Sequence, residues 1–280
     1  MLPVGGTLWL VGTPIGNLGD LSERARETLS RVDVVACEDT RRTRALLTHL
    51  GIAGTRLVSF FEGNEERRVP ELLGELHAGR DVALVSDAGM PGLSDPGYRL
   101  VSAALREDLS VDVVPGPSAA VAALVVSGLP ADRFVFEGFL PRRGGGRRAR
   151  LEDLAGETRT IVLFESPRRL SGLLRDALDT LGERPAAVVR ELTKAHQEVA
   201  RGGLEDLSER FGEGEVRGEV VVVIGGAPEA ATTVDPEELA ARVRSLTAAG
   251  LSRKDAAARV AAEAGASRRE VYEASLRHDE

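Results

Sequence analysis

The residues best suited to chemistry lie in three bends rich in glycine and proline, each following an apolar run. The first is Gly12-Thr13-Pro14-Ile15-Gly16-Asn17, after Thr7–Val11. The second is Ser86-Asp87-Ala88-Gly89-Met90-Pro91-Gly92-Leu93-Ser94-Asp95-Pro96-Gly97, after Val82–Val85. The third is Pro115-Gly116-Pro117-Ser118-Ala119-Ala120, after Val111–Val114. Small residues at such bends let backbone N–H groups come close to a ligand. In open α/β sheets the carboxyl edge of the strands is where ligands bind. Asp87 can accept hydrogen bonds from a ligand ammonium or hydroxyl; a turn or helix-capping aspartate would have the same spacing. The first bend is not a dinucleotide fingerprint, because Pro14 and Ile15 fill positions that a G-x-G-x-x-G turn needs free, so a dehydrogenase is disfavoured. His49, His77, His196 and His278 show no ligand spacing, and with Cys37 the single cysteine no metal site is expected.

The bends need a sheet to hold them, and the pattern supplies one. Strands are expected at Thr7–Val11, 32–36, 57–59, Val82–Ser86 and Val111–Val114. They alternate with helices from Ser22 to Ser30, up to Leu50, over 65–78, 97–107 and from Ser118 to Ser127. This is the signature of a largely parallel α/β domain. The character changes around Phe134–Leu140, and Gly144-Gly145-Gly146, flanked by arginines, reads as a mobile basic loop. Strands at 160–164, 186–190 and 219–225, with helices at 168–181 and 204–211, make a second α/β block. Residues 227–233 read as a linker before three short helices, 236–249, 253–263 and 268–276. The expected domains are therefore 1–118, 119–226 and a helical module over 234–280.

Bulk properties narrow the class. A chain of 280 residues with 42% hydrophobic content can bury a core in each of two domains. No apolar run reaches the roughly 18 residues of a membrane span, the first residues lack the pattern of a secretion signal, and one cysteine forms no internal disulfide. A cytoplasmic protein without a membrane partner is expected. The net charge of −8 argues weakly against nucleic acid, but the arginines are clustered, at Arg142, Arg143, Arg147, Arg148 and Arg150 and again from Arg253 to Arg269. A compositional preference for arginine accounts for the same counts.

Taken in order, the bends and the blocks between them resemble a known family. The opening Trp9-Leu10-Val11-Gly12-Thr13-Pro14-Ile15-Gly16-Asn17-Leu18-Gly19-Asp20 resembles that of the ribosomal RNA small-subunit methyltransferase I family, a branch of the tetrapyrrole-methylase superfamily. Glu38-Asp39-Thr40-Arg41-Arg42, Leu84–Gly89, Ser94–Tyr98, Pro115–Ala120, Phe136–Pro141, Phe164–Arg169 and Arg190–Lys194 resemble its later blocks in sequence order. Met90 departs from the pattern, which more often has threonine there. The resemblance implies two α/β domains clasping S-adenosylmethionine in the cleft between them, plus a small C-terminal helical module. It implies a homodimer, and transfer of a methyl group to the ribose 2′-hydroxyl of a cytidine in 16S ribosomal RNA or the small ribosomal subunit. Carried over by position, Pro14, Ile15, Ser86, Asp87, Ala88 and Met90 bind the cofactor from the first two bends, Ser118 and Ala119 contact it from the third, and Glu165 and Leu192 close over it from the second domain.

A ribose hydroxyl is a poor nucleophile at neutral pH, so a base that takes its proton is expected to contribute about 10²–10⁴-fold. Lys194 is the first candidate, with Glu165 and Glu191 as rivals and Asp39 behind them. Burial and Arg190 would lower the Lys194 pKa while Glu191 raises it, so the sequence leaves its sign open. Arg41, Arg42, Arg142, Arg143, Arg147 and Arg148 are the candidates for RNA phosphates. Residues 256–276 loosely resemble a helix-turn-helix that either adds RNA contacts or caps the second domain. Two other readings stand: C-methylation of a corrinoid or porphyrinoid precursor, and a non-catalytic RNA-binding protein.

Overall fold

In a computed structural model the described residues are 5–142, 144–212, 216–228, 235–264 and 266–277. They form two compact units, Met1–Gly226 and Ala227–Glu280. The first unit contains two five-stranded sheets.

The first sheet is built from β1 (Thr7–Val11), β2 (Val34–Cys37), β3 (Arg56–Ser59), β4 (Val82–Val85) and β5 (Ser110–Val114), all parallel, in the order β3-β2-β4-β1-β5. A parallel sheet needs both faces covered, which is why β2 and β4 are unbroken apolar runs buried at every position. Helices α1 (Glu23–Arg31) and α2 (Thr40–His49) cover one face, packing Leu29 and Leu47 on Val35, Ala83 and Val85. Helices α3 (Glu65–His77) and α4 (Tyr98–Arg106) cover the other, with Leu72, Leu76, Leu100 and Ala104 on Leu8, Val34, Val82 and Leu84. Ser22 caps α1 as its sequence predicts, its hydroxyl accepting from the Ala25 N–H.

The second sheet has the order β6-β7-β10-β8-β9, from β6 (Phe134–Phe139), β7 (Thr160–Glu165), β8 (Pro185–Arg190), β9 (Glu198–Gly203) and β10 (Val220–Ile224). Only β6 and β7 are parallel. Its strands bury both faces, with alternate side chains going opposite ways. Ile161, Leu163, Val222 and Ile224 meet α6 (Gly144–Asp153), α7 (Leu170–Leu181) and α8 (Leu204–Arg210). Val162, Val221 and Val223 face α5 (Ala119–Ser127), the helix that leaves the last strand of the first sheet. Ile15, from the bend after β1, belongs to that same cluster.

Three expectations change. The glycine run 144–146 is not a loop but the first turn of α6. Tertiary contacts override its poor helix propensity: Leu151 and Leu154 are buried in the core, and Arg147 is fixed by Asp176 and the Gly172 carbonyl. Gly146 also lies so near Pro141 that a Cβ would sit 3.1 Å from the proline ring. Strands β6 and β9 escape the sequence reading because their segments, Phe-Val-Phe-Glu-Gly-Phe and Glu-Val-Ala-Arg-Gly-Gly, carry the glycines and charges that edge strands tolerate. Most of the expected linker, and Arg143, lie outside the described residues.

The second unit is three helices, α9 (Pro236–Ala248), α10 (Arg253–Ala264) and α11 (Arg268–Arg277), around Leu239, Val243, Ala257, Val260 and Val271. Ser267 and Glu270 form a reciprocal capping box at the start of α11. Arg242, Arg259 and Arg269 each pair with a glutamate of the same unit.

Asp176 holds two arginines, Arg147 at 2.5 Å and Arg148 at 3.0 Å, and both Asp176 and Arg147 have only 12% of their side-chain surface exposed. Asp176→Ala leaves the Arg147 guanidinium buried without its carboxylate and is expected to cost about 3 kcal/mol. A urea midpoint equal to wild type would show that α6 is not held by this pair.

Candidate functional site

All three bends lie at the carboxyl edge of the first sheet and touch one another. A Cβ built on Gly12 would stand 2.6 Å from the Gly116 Cα and 2.7 Å from the Met90 Sδ, so two backbones and a thioether fill the space a side chain would need. Thr13 and Gly89 pair as an isolated bridge, with N···O distances of 2.9 and 3.1 Å, and Gly89 takes φ +85°. The first two bends are thus stitched edge to edge. The third runs into α5 through Ser118, an N-cap residue whose side chain makes no capping bond.

Between these bends and the inner face of the second sheet opens a cavity of about 390 Å³. The wall formed by the bends includes Ile15, Asp87, Ala88, Met90, Ser118 and Ala119; the wall on the side of the second sheet includes Glu165, Val189, Leu192 and Val221. Eight of the ten residues carried over for the cofactor therefore share one cavity. Pro14 and Ser86 do not line it. They line an adjoining space of about 320 Å³ with Thr43 and His49, and Arg42 and Asp87 border both. The Ser86 hydroxyl turns back toward the Ala88 and Gly89 carbonyls, 3.3 and 3.4 Å away.

Two polar atoms on the cavity wall have no partner. The Ser118 Oγ is buried and unbonded, and so is Glu165 Oε2, although Glu165 Oε1 accepts from the Ser166 N–H and from Arg169. Buried polar groups are satisfied in nearly all native structures, so two orphans on residues that line one cavity mark where a ligand's own polar groups belong. Val189, Leu192 and Val221 give the same cavity an apolar side. The lining suits a molecule with a flat apolar part and several hydrogen-bonding groups.

A carboxylate cluster crosses the edge of the site. Asp87 is fixed from two directions: Oδ1 accepts the Asp39 N–H at 3.1 Å, and Oδ2 lies 3.3 Å from Arg42. Burial, then the Asp87 charge, raises the Glu38 pKa. Asp95 also lines the cavity, and burial followed by the Glu38 charge pushes its carboxyl up to about 6, against a smaller downward pull from the Ser86 hydroxyl. Asp39 goes the other way, held at about 2 by hydrogen bonds from the Arg41 side chain and backbone. Sequence reasoning singles out the segment containing Asp95 but gives that residue no role, because its setting depends on burial and on Glu38, which follows a different strand.

The structure decides the sign for Lys194. Burial lowers its pKa, but the hydrogen bonds that its ammonium donates to Glu191 at 2.8 Å and Glu219 at 3.2 Å outweigh that and raise it. The same bond lowers the Glu191 pKa. Neither residue lines the cavity; their ion pair instead supports the turn that brings Leu192 to it. Glu191 and Thr193 adopt left-handed backbone, φ +49° and +67°, on either side of Leu192. A Cβ on Gly16 would fall 2.5 Å from the Lys194 Cγ, so the first bend also rests on this turn.

The arginines divide into spent and available. Arg147 and Arg148 are committed to Asp176 and Asp179, Arg150 to Glu137 and Asp153, Arg41 to Asp39, and Arg42 to Asp87. Arg147 is too enclosed to reach a phosphate, which corrects the picture of a free basic loop. Arg142 is exposed and has no hydrogen bond or ion pair among the described residues. Among the described residues no three His, Cys, Asp or Glu side chains are grouped to hold a metal, and no helix is long and apolar enough to cross a membrane.

The model of the tetrapyrrole (corrin/porphyrin) methylases matches residues 7–208. A Mycobacterium tuberculosis (strain CDC 1551 / Oshkosh) protein named "Ribosomal RNA small subunit methyltransferase I" is 50% identical over 274 residues, 97% of this chain and 95% of its own. A Synechocystis protein of the same name is 48% identical over 97% of this chain and 98% of its own. Among solved structures, uroporphyrin-III-C-methyltransferase from Thermus thermophilus superposes with TM-score 0.54 at 26% identity, over 79% of this chain and 94% of that one. That enzyme has also been solved complexed with S-adenyl homocysteine, where the TM-score is 0.56 at 24% identity, over 79% of this chain and 97% of that one.

Proposed function

The chain belongs to the tetrapyrrole methylase family, in the branch named for ribosomal RNA small-subunit methyltransferase I, and from that premise we propose that it methylates the ribose 2′-hydroxyl of a cytidine in 16S ribosomal RNA, using S-adenosylmethionine. The extent of the likeness carries this reading: relatives with the RNA name match half of the residues almost end to end, whereas the porphyrinoid enzyme is alike over a smaller share and at half that identity. The alternative of a tetrapyrrole C-methyltransferase rests on the superfamily fold alone. Mass mapping of 16S ribosomal RNA from a strain lacking the gene should show one ribose methyl missing and restored by the gene. An unchanged methylation map would eliminate the RNA reading.

The cavity fits the cofactor on the ground already described, two orphaned buried polar atoms on residues that line it and an apolar side formed by Val189, Leu192 and Val221. The Asp87 loop, Ile15, Met90, Ser118 and Ala119 would hold it from one side, and Glu165 and Leu192 from the other. When bound, S-adenosylmethionine supplies a methyl carbon made electrophilic by a sulfonium. The chain has to seat the acceptor ribose and receive its proton. Lys194 and Glu191 are bound to each other, and Glu165 Oε1 is bound to Arg169, so Asp95 takes that part in this proposal. It lines the cavity, and with a pKa of about 6 it is ionised at neutral pH while remaining more basic than an ordinary carboxylate.

Asp95→Asn is then expected to slow methyl transfer by about 100-fold or more, with cofactor affinity kept. Wild-type turnover should fall as the pH drops through about 6, and the variant's low rate should stay flat there. Stability shifts with the opposite sign. Above pH 6 the folded wild type carries a carboxylate that burial and Glu38 disfavour, so Asp95→Asn should raise the Tm at pH 8. That gain should vanish as the pH falls below the ordinary carboxyl value of 3.8. A normal pH profile in the variant would remove Asp95 from the reaction.

The working form in this proposal is a homodimer. Helix α5 is apolar all round, yet Val121 and Val125 are exposed, and Val113 is exposed on the edge strand β5. An apolar helix face left in water is the mark of a protein contact. Equilibrium sedimentation should give twice the chain mass for wild type and a monomer for Val121→Glu/Val125→Glu. A monomeric wild type would refute the dimer.

A further inference from the structure

Phe139 stands apart from the other residues of the cavity. The residue is 57% exposed although it lines the same cavity as Ser118 and Glu165, whose orphaned atoms are buried. The backbone puts it there on purpose. The β6–β7 register shifts between Phe136 and Gly138, leaving Glu137 as the extra residue of a bulge, and Gly138 takes φ +60°. Bulges of this kind re-aim the side chain that follows. The Glu137 carboxylate is clamped by Arg150, which holds the bulge in place. The ring is braced from behind by Phe164, edge-on at 5.6 Å, and Phe164 is braced in turn by Phe136 at 5.0 Å. Gly138 also lies against Ser94, whose neighbour Leu93 is a second exposed apolar residue on the cavity wall.

A rigid, braced aromatic face left open to water at a cavity mouth needs a flat apolar partner. The charge near it in the chain says which kind, since exposed Arg142, without an ion pair among the described residues, follows three residues later. We propose that Phe139 is the stacking platform for the base of the acceptor nucleotide, which leaves its own RNA stack to enter the mouth while its ribose reaches the interior. This rests on the RNA reading of the site and adds how the nucleotide is held. Sequence-specific RNA recognition commonly splays a base out onto an aromatic ring, and base–aromatic stacking is worth about 1–3 kcal/mol. The ring cannot serve the cofactor equally well, because the orphaned polar atoms that call for a ligand are fully buried while Phe139 lies at the solvent edge.

The test uses the full chain and small ribosomal subunits from a strain lacking the gene. Phe139→Ala should raise the KM for the subunit about 5- to 150-fold, following that stacking range, and leave the calorimetric affinity for S-adenosylmethionine within twofold. Phe139→Tyr and Phe139→Trp should restore the wild-type KM; Phe139→Leu, apolar but without a π-face, should not. Subunits reconstituted with an abasic residue at the methylated position should abolish the difference between wild type and Phe139→Ala, which a merely structural defect would preserve. The proposal is overturned by an unchanged KM, by a loss that persists on abasic subunits, or by a matching loss of cofactor affinity. Failure of the RNA reading is separate and shows as wild-type protein that methylates no subunit at all.

Discussion

The architecture depends on how close two glycine backbones come. Gly12 and Gly116 touch without side chains between them, and that contact sets where β1 and β5 deliver their bends. From Gly116 the chain has only two residues before α5 begins, so the same contact fixes the helix that crosses to the second sheet. Helix α5 covers part of that sheet's inner face with Ala120, Ala123 and Leu124, and leaves Val189 and Val221 to line a cavity. The hollow is therefore what remains when one helix is too short to cover a whole sheet face.

Around that hollow, charge is distributed with a clear division. Most ionic side chains are neutralised locally: Lys194 by two glutamates, Asp176 by two arginines, Asp39 by Arg41. Asp95 and Glu38 differ, crowded by burial and then by like charge so that both hold their protons more tightly than usual. Opposed perturbations of neighbouring carboxyls, Asp39 down and Asp95 up, are how a protein keeps one group as a fixed charge and another as a proton carrier.

Much of this was legible in the residues. The bends after β1, β4 and β5, the alternating pattern of the first sheet and the helices of the second unit follow from local rules, because a parallel strand buried on both faces has few other readings. The seven later blocks that resemble the family also located Glu165 and Leu192 on the far wall. What escaped depends on contacts distant in sequence. The helix starting at Gly144 exists because Asp176 and a leucine core demand it. The pKa of Asp95 is raised by burial and then by Glu38, which follows a different strand, and the exposure of Phe139 is set by a bulge that a glutamate and an arginine 13 residues apart hold in place. Lys194 is held by Glu191 and also by Glu219, 25 residues away, a partner that no local pattern announces.

The turn carrying Leu192 has a further consequence. Left-handed backbone at Glu191 and Thr193 costs about 1–3 kcal/mol at each, and glycine there would be locally more comfortable. Comfort would come with freedom: the loop would sample many shapes, and the leucine would no longer arrive at one place. The chain has kept the tense version and surrounded it with the Lys194 bond, the Gln197 side chain and a bare Gly218 that makes room for it. A tensed loop of this kind trades thermal resilience for definition, so homologues adapted to great heat have reason to relax it only where another brace takes over.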